Sequence, residues 1–96
     1  MRKGVMGMED LQIISLLFQR SETAIPMLQQ KFGGLCRIVI SNILPDRRDV
    51  EECASDTYLR VWNSIPPQRP ARLDSYLARI ARNVALDRYD YNMACM

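Results

Sequence analysis

Hydrophobic residues recur every three or four positions in several segments of the chain, which is the spacing of one side of an α-helix. In the first segment, Leu11, Ile14 and Leu17 predict a helix over residues 9–19. No segment alternates apolar and polar positions, and no hairpin turn signal is present. The pattern therefore predicts an all-α fold, a compact bundle of four to five helices.

The second predicted helix contains two features that disturb the pattern. Thr23 as N-cap would place Pro26 in the first turn, where the missing N–H of proline is not needed. The helix then runs to about Phe32, and Gly33-Gly34 is expected to bend or interrupt it. Beyond the glycines, a helical stripe continues to Leu44.

The third predicted helix has the strongest pattern in the chain. Asp46, directly after Pro45, is suited to cap its N-terminus. We expect Tyr58 and Trp62 to be structural, because they lie on the apolar side of this helix. That side comprises Val50, Cys53, Ala54, Thr57, Tyr58, Val61, Trp62 and Ile65.

Three prolines make residues 64–72 a predicted loop and limit its conformations. A restricted loop loses less conformational entropy when a partner orders it. The final helix is expected to begin near Leu73 or Asp74 and to run to about Arg88. Its apolar side comprises Leu73, Tyr76, Leu77, Ile80, Ala81 and Val84.

Length and composition indicate a single domain. The chain has 96 residues, of which 48% are hydrophobic and 25% are charged, as in a soluble globular protein. We expect a helical domain over residues 9–89, a flexible N-terminal arm over residues 1–8 and a frayed tail over residues 90–96. The sequence shows neither a signal peptide nor an apolar run of membrane-spanning length, so a cytoplasmic location is expected.

The side chains present exclude several kinds of chemistry. The chain has no His, so imidazole acid–base catalysis is excluded. Cys36, Cys53 and Cys95 are widely spaced, which favours neither a disulfide framework nor a zinc site, and we expect Cys36 and Cys53 to be buried. No nucleophile–base pair or phosphate-binding loop is recognisable. We therefore expect a binding module with no metal or cofactor, and not an enzyme.

Charge is distributed unevenly along the chain, and an acidic segment at residues 46–56 precedes an arginine-rich one. Within the acidic segment, Asp49, Glu52 and Asp56 lie on one side of the third helix, where like charges repel one another. This acidic stripe is either a solvated surface that suits a helix N-terminus or a docking site for a basic surface of another protein.

A basic stripe lies on the final helix and the loop before it. Arginines and an amide beside a stiff loop suit single-stranded nucleic acid, because guanidinium groups bind phosphates while unstacked bases accept planar and hydrogen-bonding partners. The alternative is an ordinary solvated surface, and we expect the neighbouring Tyr76 to belong to the core. The candidate residues are Arg69, Arg72, Arg79, Arg82 and Asn83.

Two stretches flank the proline-rich loop: DVEECASDTYLRVW at residues 49–62 and SYLARIARNVALD at residues 75–87. In this order and at this distance they resemble region 2 of bacterial extracytoplasmic-function sigma factors, members of the sigma-70 family. The resemblance covers about residues 11–89. It implies a helical, non-enzymatic domain that acts in transcription initiation.

The resemblance also implies a first partner, core RNA polymerase. In the family, the acidic side of the long helix docks on the clamp helices of the largest polymerase subunit. Carried over to this chain, the contact falls on Glu52 and Asp56, with Asp49 at its rim. Ser55 stands within it, where the family often has Gln.

The second implied partner is promoter DNA. In the family, the loop and the last helix recognise and melt the minus-ten element on the non-template strand, which points here to the loop and to Arg79, Arg82 and Asn83. A family member normally continues into a second helical domain that reads the minus-thirty-five element, and the sequence up to Met96 holds no such domain. An anti-sigma factor is a further candidate partner.

Two other functions stay open at this point. A protein-interaction module without DNA reading would act as a decoy that occupies the polymerase clamp or an anti-sigma factor. A small helix-turn-helix regulator of duplex DNA would need a short, tight turn before its recognition helix, and the loop over residues 64–72 is too long and proline-rich for that.

Overall fold

The computed structural model describes residues 7–95, and that part of the chain forms four helices and no strand. The helices are α1 (Met8–Phe18), α2 (Ala24–Ser41), α3 (Arg47–Ser64) and α4 (Leu73–Ala94). Helices α2, α3 and α4 pack against one another, and α1 packs chiefly against α2. The prediction of an all-α bundle is confirmed.

The apolar sides of the four helices meet in one core. Tyr58 is 7% exposed, and burial raises its pKa to about 12, so the phenol stays neutral. Cys36 and Cys53 are buried as predicted, and burial raises the pKa of both thiols. Trp62 packs at the edge of the core and is half-buried. The largest fully buried apolar side chains are Ile13, Ile14, Leu17, Leu28, Ile40, Leu44, Val61, Ile65, Leu73 and Leu77.

Helix α2 is continuous through both glycines, so the predicted interruption at Gly33-Gly34 was wrong. Gly33 is buried against α3, where the Tyr58 hydroxyl lies 3.5 Å from the place that a Cβ would take. Packing against the neighbouring helices outweighs the low helix propensity of the two glycines, about 1 kcal/mol each. Thr23 stands at the N-cap position, but its side chain makes no capping hydrogen bond.

Both ends of helix α3 lie close to where the sequence predicts them. Asp46 caps α3 as predicted, because its carboxylate accepts a hydrogen bond from the Arg48 amide at 2.8 Å. Ser64 still belongs to α3, so the α3–α4 loop spans residues 65–72.

The predicted N-terminal arm over residues 1–8 is described only in part. Met8 is the first residue of α1, and residues 1–6 lie outside the described residues. Met96 at the C-terminus also lies outside them.

Helix α4 runs to Ala94, past the predicted end near Arg88. The part of the predicted tail up to Ala94 is thus helical in the structure. The side chains of Arg88 and Asn92 hydrogen-bond to Asp49 of α3 and so anchor the additional turns. Hydrophobic periodicity missed this extension because the contact that holds it is polar.

The turn after α1 places a residue in an unfavourable backbone conformation. Arg20 has φ 57°, in the left-handed region that costs an L-residue about 1–2 kcal/mol. Its N–H donates to the Leu17 carbonyl at 3.0 Å, and the Ser21 N–H donates to the Leu16 carbonyl at 2.9 Å. This pairing is a Schellman motif, in which glycine usually holds the left-handed position.

Candidate functional site

The acidic face of α3 consists of the predicted docking residues Asp49, Glu52, Ser55 and Asp56, and its first residue is held by α4. The side chain of Asp49 is 19% exposed. Its two carboxylate oxygens accept hydrogen bonds from Arg88 Nη1 at 2.6 Å and from Asn92 Nδ2 at 3.0 Å. Asp49 is therefore a structural link between α3 and α4 as well as a surface charge.

Glu52 shares the same arginine. Its Oε1 accepts a hydrogen bond from Arg88 Nη2 at 2.8 Å, while half of its side chain stays exposed. The hydrogen bonds to Glu52 and then to Asp49 raise the pKa of Arg88, so this guanidinium is a permanent counter-charge. One residue of α4 thus offsets the repulsion between two acids of α3.

The remainder of the acidic face is open to solvent. Ser55 and Asp56 are exposed, and neither side chain makes a hydrogen bond or ion pair within residues 7–95. Beside Ser55 lies a largely apolar groove of about 480 Å³, whose rim includes Leu59, 56% exposed. The groove is also lined by Glu22, Ile25, Pro26, Gln29, Tyr58 and Trp62.

The basic face of α4 consists of Arg79, Arg82 and Asn83, which the structure brings together on the exposed side of the helix. None of the three side chains makes a hydrogen bond or an ion pair with another residue that the structure describes. Arg79 and Arg82 line a groove of about 490 Å³ between α4 and α2, together with Val39, Asn42, Ile43, Ala78 and Leu86.

Arg79 connects this groove to the α3–α4 loop. It also lines a second hollow of about 370 Å³, whose other walls are loop residues and the first turn of α4. Within that hollow, Tyr76 packs against the core as predicted, and its hydroxyl lies 2.7 Å from the Ser64 hydroxyl. The hollow is lined by Gln68, Pro70, Ala71, Arg72, Ser75, Tyr76 and Arg79.

The two loop arginines of the prediction are engaged within the domain. Arg72 donates two hydrogen bonds to Asp74, at 3.0 and 3.3 Å, and this pairing lowers the pKa of the Asp74 carboxyl. The guanidinium of Arg69 stacks over the ring of Phe18, 4.2 Å from its centroid. Arg69 and Arg72 therefore differ from Arg79 and Arg82, which have no such partner among residues 7–95.

Sequence reasoning missed three residues that organise these surfaces: Arg20, Arg88 and Asn92. Arg20 donates hydrogen bonds to the carbonyls of Trp62 and Ile65, each at 2.9 Å, across more than forty residues of chain. No local spacing signals such a contact. Arg88 and Asn92 lie four apart on one side of α4, and this spacing was the available signal.

The described part of the chain shows no arrangement for a metal or a membrane. Within residues 7–95, no three or more side chains of the metal-binding types come together. No helix there has the length and apolar character needed to cross a membrane.

Comparison with protein families identifies the class of domain. The model of the sigma-70 region 2 family matches residues 28–93, which cover α3 and the loop completely and α2 and α4 in large part. Because the match extends over more than half of the chain, the chain belongs to the sigma-70 region 2 family. Neither the comparison with curated proteins nor that with solved structures gave a match.

Membership gives the general role of the domain. Sigma-70 region 2 is a non-enzymatic part of sigma factors that takes part in RNA polymerase binding and in recognition of the promoter minus-ten element. The fold described here, an all-α bundle, is consistent with that family. The acidic and basic faces are the candidate surfaces for the two partners.

Proposed function

We propose that the chain is region 2 of an extracytoplasmic-function sigma factor, and that its two partners bind to two different faces. Core RNA polymerase, through the clamp helices of its largest subunit, binds the acidic face. The non-template strand of the minus-ten element binds the basic face and the α3–α4 loop, where it is recognised and held in its melted form.

The proposal that DNA binds the basic face depends on which arginine side chains are already paired within the domain. Arg20, Arg37, Arg60, Arg72 and Arg88 all donate to carboxylates or carbonyls of the domain itself. Within residues 7–95, Arg79 and Arg82 do not, and neither do the exposed Arg47 and Arg48 at the start of α3. Arg79 and Arg82 differ from that pair because they line the grooves beside α2 and the α3–α4 loop. Two adjacent guanidiniums that the described fold leaves unpaired are suited to phosphate oxygens.

The grooves beside the basic face supply the other half of a single-strand site. Bases that leave the stack need contact with apolar or planar surface, and unstacking costs a few kcal/mol per base. The hollow shared by Arg79 and the loop is lined, among other residues, by Pro70, Gln68 and Tyr76, which supply apolar, hydrogen-bonding and aromatic groups. A strand whose phosphates lie along α4 would place a base at the mouth of this hollow.

The open end of the acidic face supports the polymerase half. Asp56 is a charged side chain with no partner in residues 7–95, and Ser55 and Leu59 continue the surface as polar and apolar contacts. Protein interfaces combine such an apolar centre with a charged rim. Asp49, held by Arg88, lies at the edge of this surface and not at its centre.

The test is to reconstitute the chain with core polymerase and measure binding of a labelled non-template minus-ten strand. We expect weak binding by the free domain and tight binding by the complex, because docking raises the effective concentration of the DNA surface. A scrambled strand is the control. Polymerase binding without any gain in strand binding would favour the alternative, a protein-interaction module that occupies the clamp without reading DNA.

A further inference from the structure

Arg20 joins the turn after α1 to the end of α3. Its guanidinium stacks on the Trp62 ring, 3.8 Å from the centroid, and donates to the carbonyls of Trp62 and Ile65 at 2.9 Å each. The Trp62 carbonyl is one of those at a helix C-terminus that have no partner within the helix, and Ile65 is the C-cap residue of α3. Arg20 therefore caps α3 from another element.

This cap acts at the point where the α3–α4 loop begins. Ile65 is fully buried, so the first residue of the loop is fixed in the core while its carbonyl is held by Arg20. A second contact from the same end of α1 reaches the middle of the loop, where Arg69 stacks over Phe18. The C-terminal end of α1 thus contacts the loop at two places.

The backbone of Arg20 strengthens this interpretation. A left-handed C′ position is normally occupied by glycine, which adopts it without steric cost. Here an arginine takes that position, and its side chain reaches the two carbonyls of the α3 terminus. Arg20 and Phe18 lie outside residues 28–93, the range that the sigma-70 region 2 model matches.

We propose that Arg20 is a positioning residue for the DNA-reading loop, which sets the path of the α3–α4 loop by capping α3 and stacking on Trp62. The proposal rests on the function proposed above for the loop, and it adds α1 to the elements that determine minus-ten recognition. Arg20 itself does not bind DNA in this account.

The principal variant is Arg20→Gly, which removes the guanidinium and keeps a residue that tolerates φ 57°. Arg47→Ala, on an exposed arginine at the start of α3, is the control for the loss of one positive charge. The first measurement is amide hydrogen exchange on the free domain. The Gln68 N–H, which donates to the Ser64 carbonyl at 2.9 Å, should exchange faster in Arg20→Gly and at the wild-type rate in Arg47→Ala.

The second measurement is binding of the minus-ten strand by polymerase that carries each variant. If the reading arrangement of the loop falls to about one tenth of the population, strand affinity falls about tenfold. The slope of log affinity against log salt should stay at the wild-type value. A slope shallower by roughly 0.7 would show that Arg20 contacts a phosphate directly, and would overturn the positioning role.

The two measurements separate this proposal from the one on which it rests. Failure of the wild-type complex to bind the strand would contradict the proposed function, while the exchange result would still decide whether Arg20 holds the loop. Wild-type exchange at Gln68 in Arg20→Gly would overturn the proposal. Should Arg20→Gly fail to fold, Arg20→Asn also tolerates the left-handed backbone and removes the guanidinium, and unchanged exchange and affinity in that variant would overturn the proposal equally.

Discussion

The two charged faces of this domain differ in how far the fold already uses them. On the acidic face, Asp49 and Glu52 are both held by Arg88 of α4, and only Asp56 keeps a charge without a partner in residues 7–95. On the basic face, neither Arg79 nor Arg82 has such a partner. Charged residues at similar spacing on two helices therefore differ in how many of them stay available to a binding partner.

The difference teaches that the charged residues of a stripe have to be sorted before a partner is assigned to them. Internal residues are paired with another residue of the domain, and external residues have no such partner among residues 7–95. Asp49 anchors the last turns of α4, so a change there acts on the fold first. Asp56 has no such contact in the described fold, so under the proposed function a change there is expected to act on polymerase binding. By the same criterion Arg72 is internal, because it is paired with Asp74, and Arg79 is external, because it lines an open groove without a partner among residues 7–95.

The largest effect is expected from Asp56→Lys. In our account Asp56 meets a basic residue of the polymerase clamp, and breaking a desolvated charge pair of this kind costs about 2–5 kcal/mol of binding. Stability should change little, because Asp56 is exposed and has no partner within residues 7–95. A binding titration with core polymerase, accompanied by thermal unfolding, measures both quantities. Unchanged polymerase affinity would remove Asp56 from the docking surface.

A smaller effect, and one on stability, is expected from Arg88→Ala. It breaks the hydrogen bonds to Asp49 and Glu52 at once, and we expect a loss of about 1–2 kcal/mol in the free energy of unfolding. Arg79→Ala is the matched control, since it makes the same replacement on the same helix and should stay within about 0.5 kcal/mol of wild type. Chemical denaturation gives both values. Equal losses in the two variants would contradict the distinction between internal and external arginines.

The smallest effect concerns the Arg72–Asp74 pair. The hydrogen bond from Arg72 lowers the folded-state pKa of Asp74 below its usual 3.8, so the pair stabilises the fold above that pH. This contribution is lost as the pH falls through the lowered pKa. An NMR titration of the Asp74 carboxyl should show the low midpoint, and Arg72→Gln should return it toward 3.8. A low midpoint that persists in Arg72→Gln would assign the shift to the Ser75 amide instead.

The helices themselves were largely predictable from the sequence. The apolar spacing of α3, the Asp46 cap and the start of α4 at Leu73 are local signals, and the structure has all three. The continuous course of α2 through Gly33-Gly34 was not predictable, because packing against α3 decides it. Local propensity yields to tertiary contacts at such places.

The candidate surfaces were predictable only as stripes of charge. Helical spacing brought Arg79, Arg82 and Asn83 to one side of α4, and the structure has them there. Which acids and arginines are already paired depends on contacts between distant residues, such as Arg88 with Asp49 and Arg20 with Ile65. Such contacts leave no periodic signal in one sequence.

The central claim, that the unpaired arginines of α4 hold the non-template strand, is tested most directly by salt titration. Core polymerase that carries the Arg79→Ala/Arg82→Ala double variant is compared with polymerase that carries Arg47→Ala/Arg48→Ala, which removes the same charge from two exposed arginines at the start of α3. The account predicts weaker binding of every strand sequence by the α4 variant. Its log–log salt slope should be shallower by roughly 0.7 for each phosphate that the variant no longer binds, while the control keeps the wild-type slope. Wild-type affinity and slope in the α4 variant would contradict the claim and place the DNA site on another face.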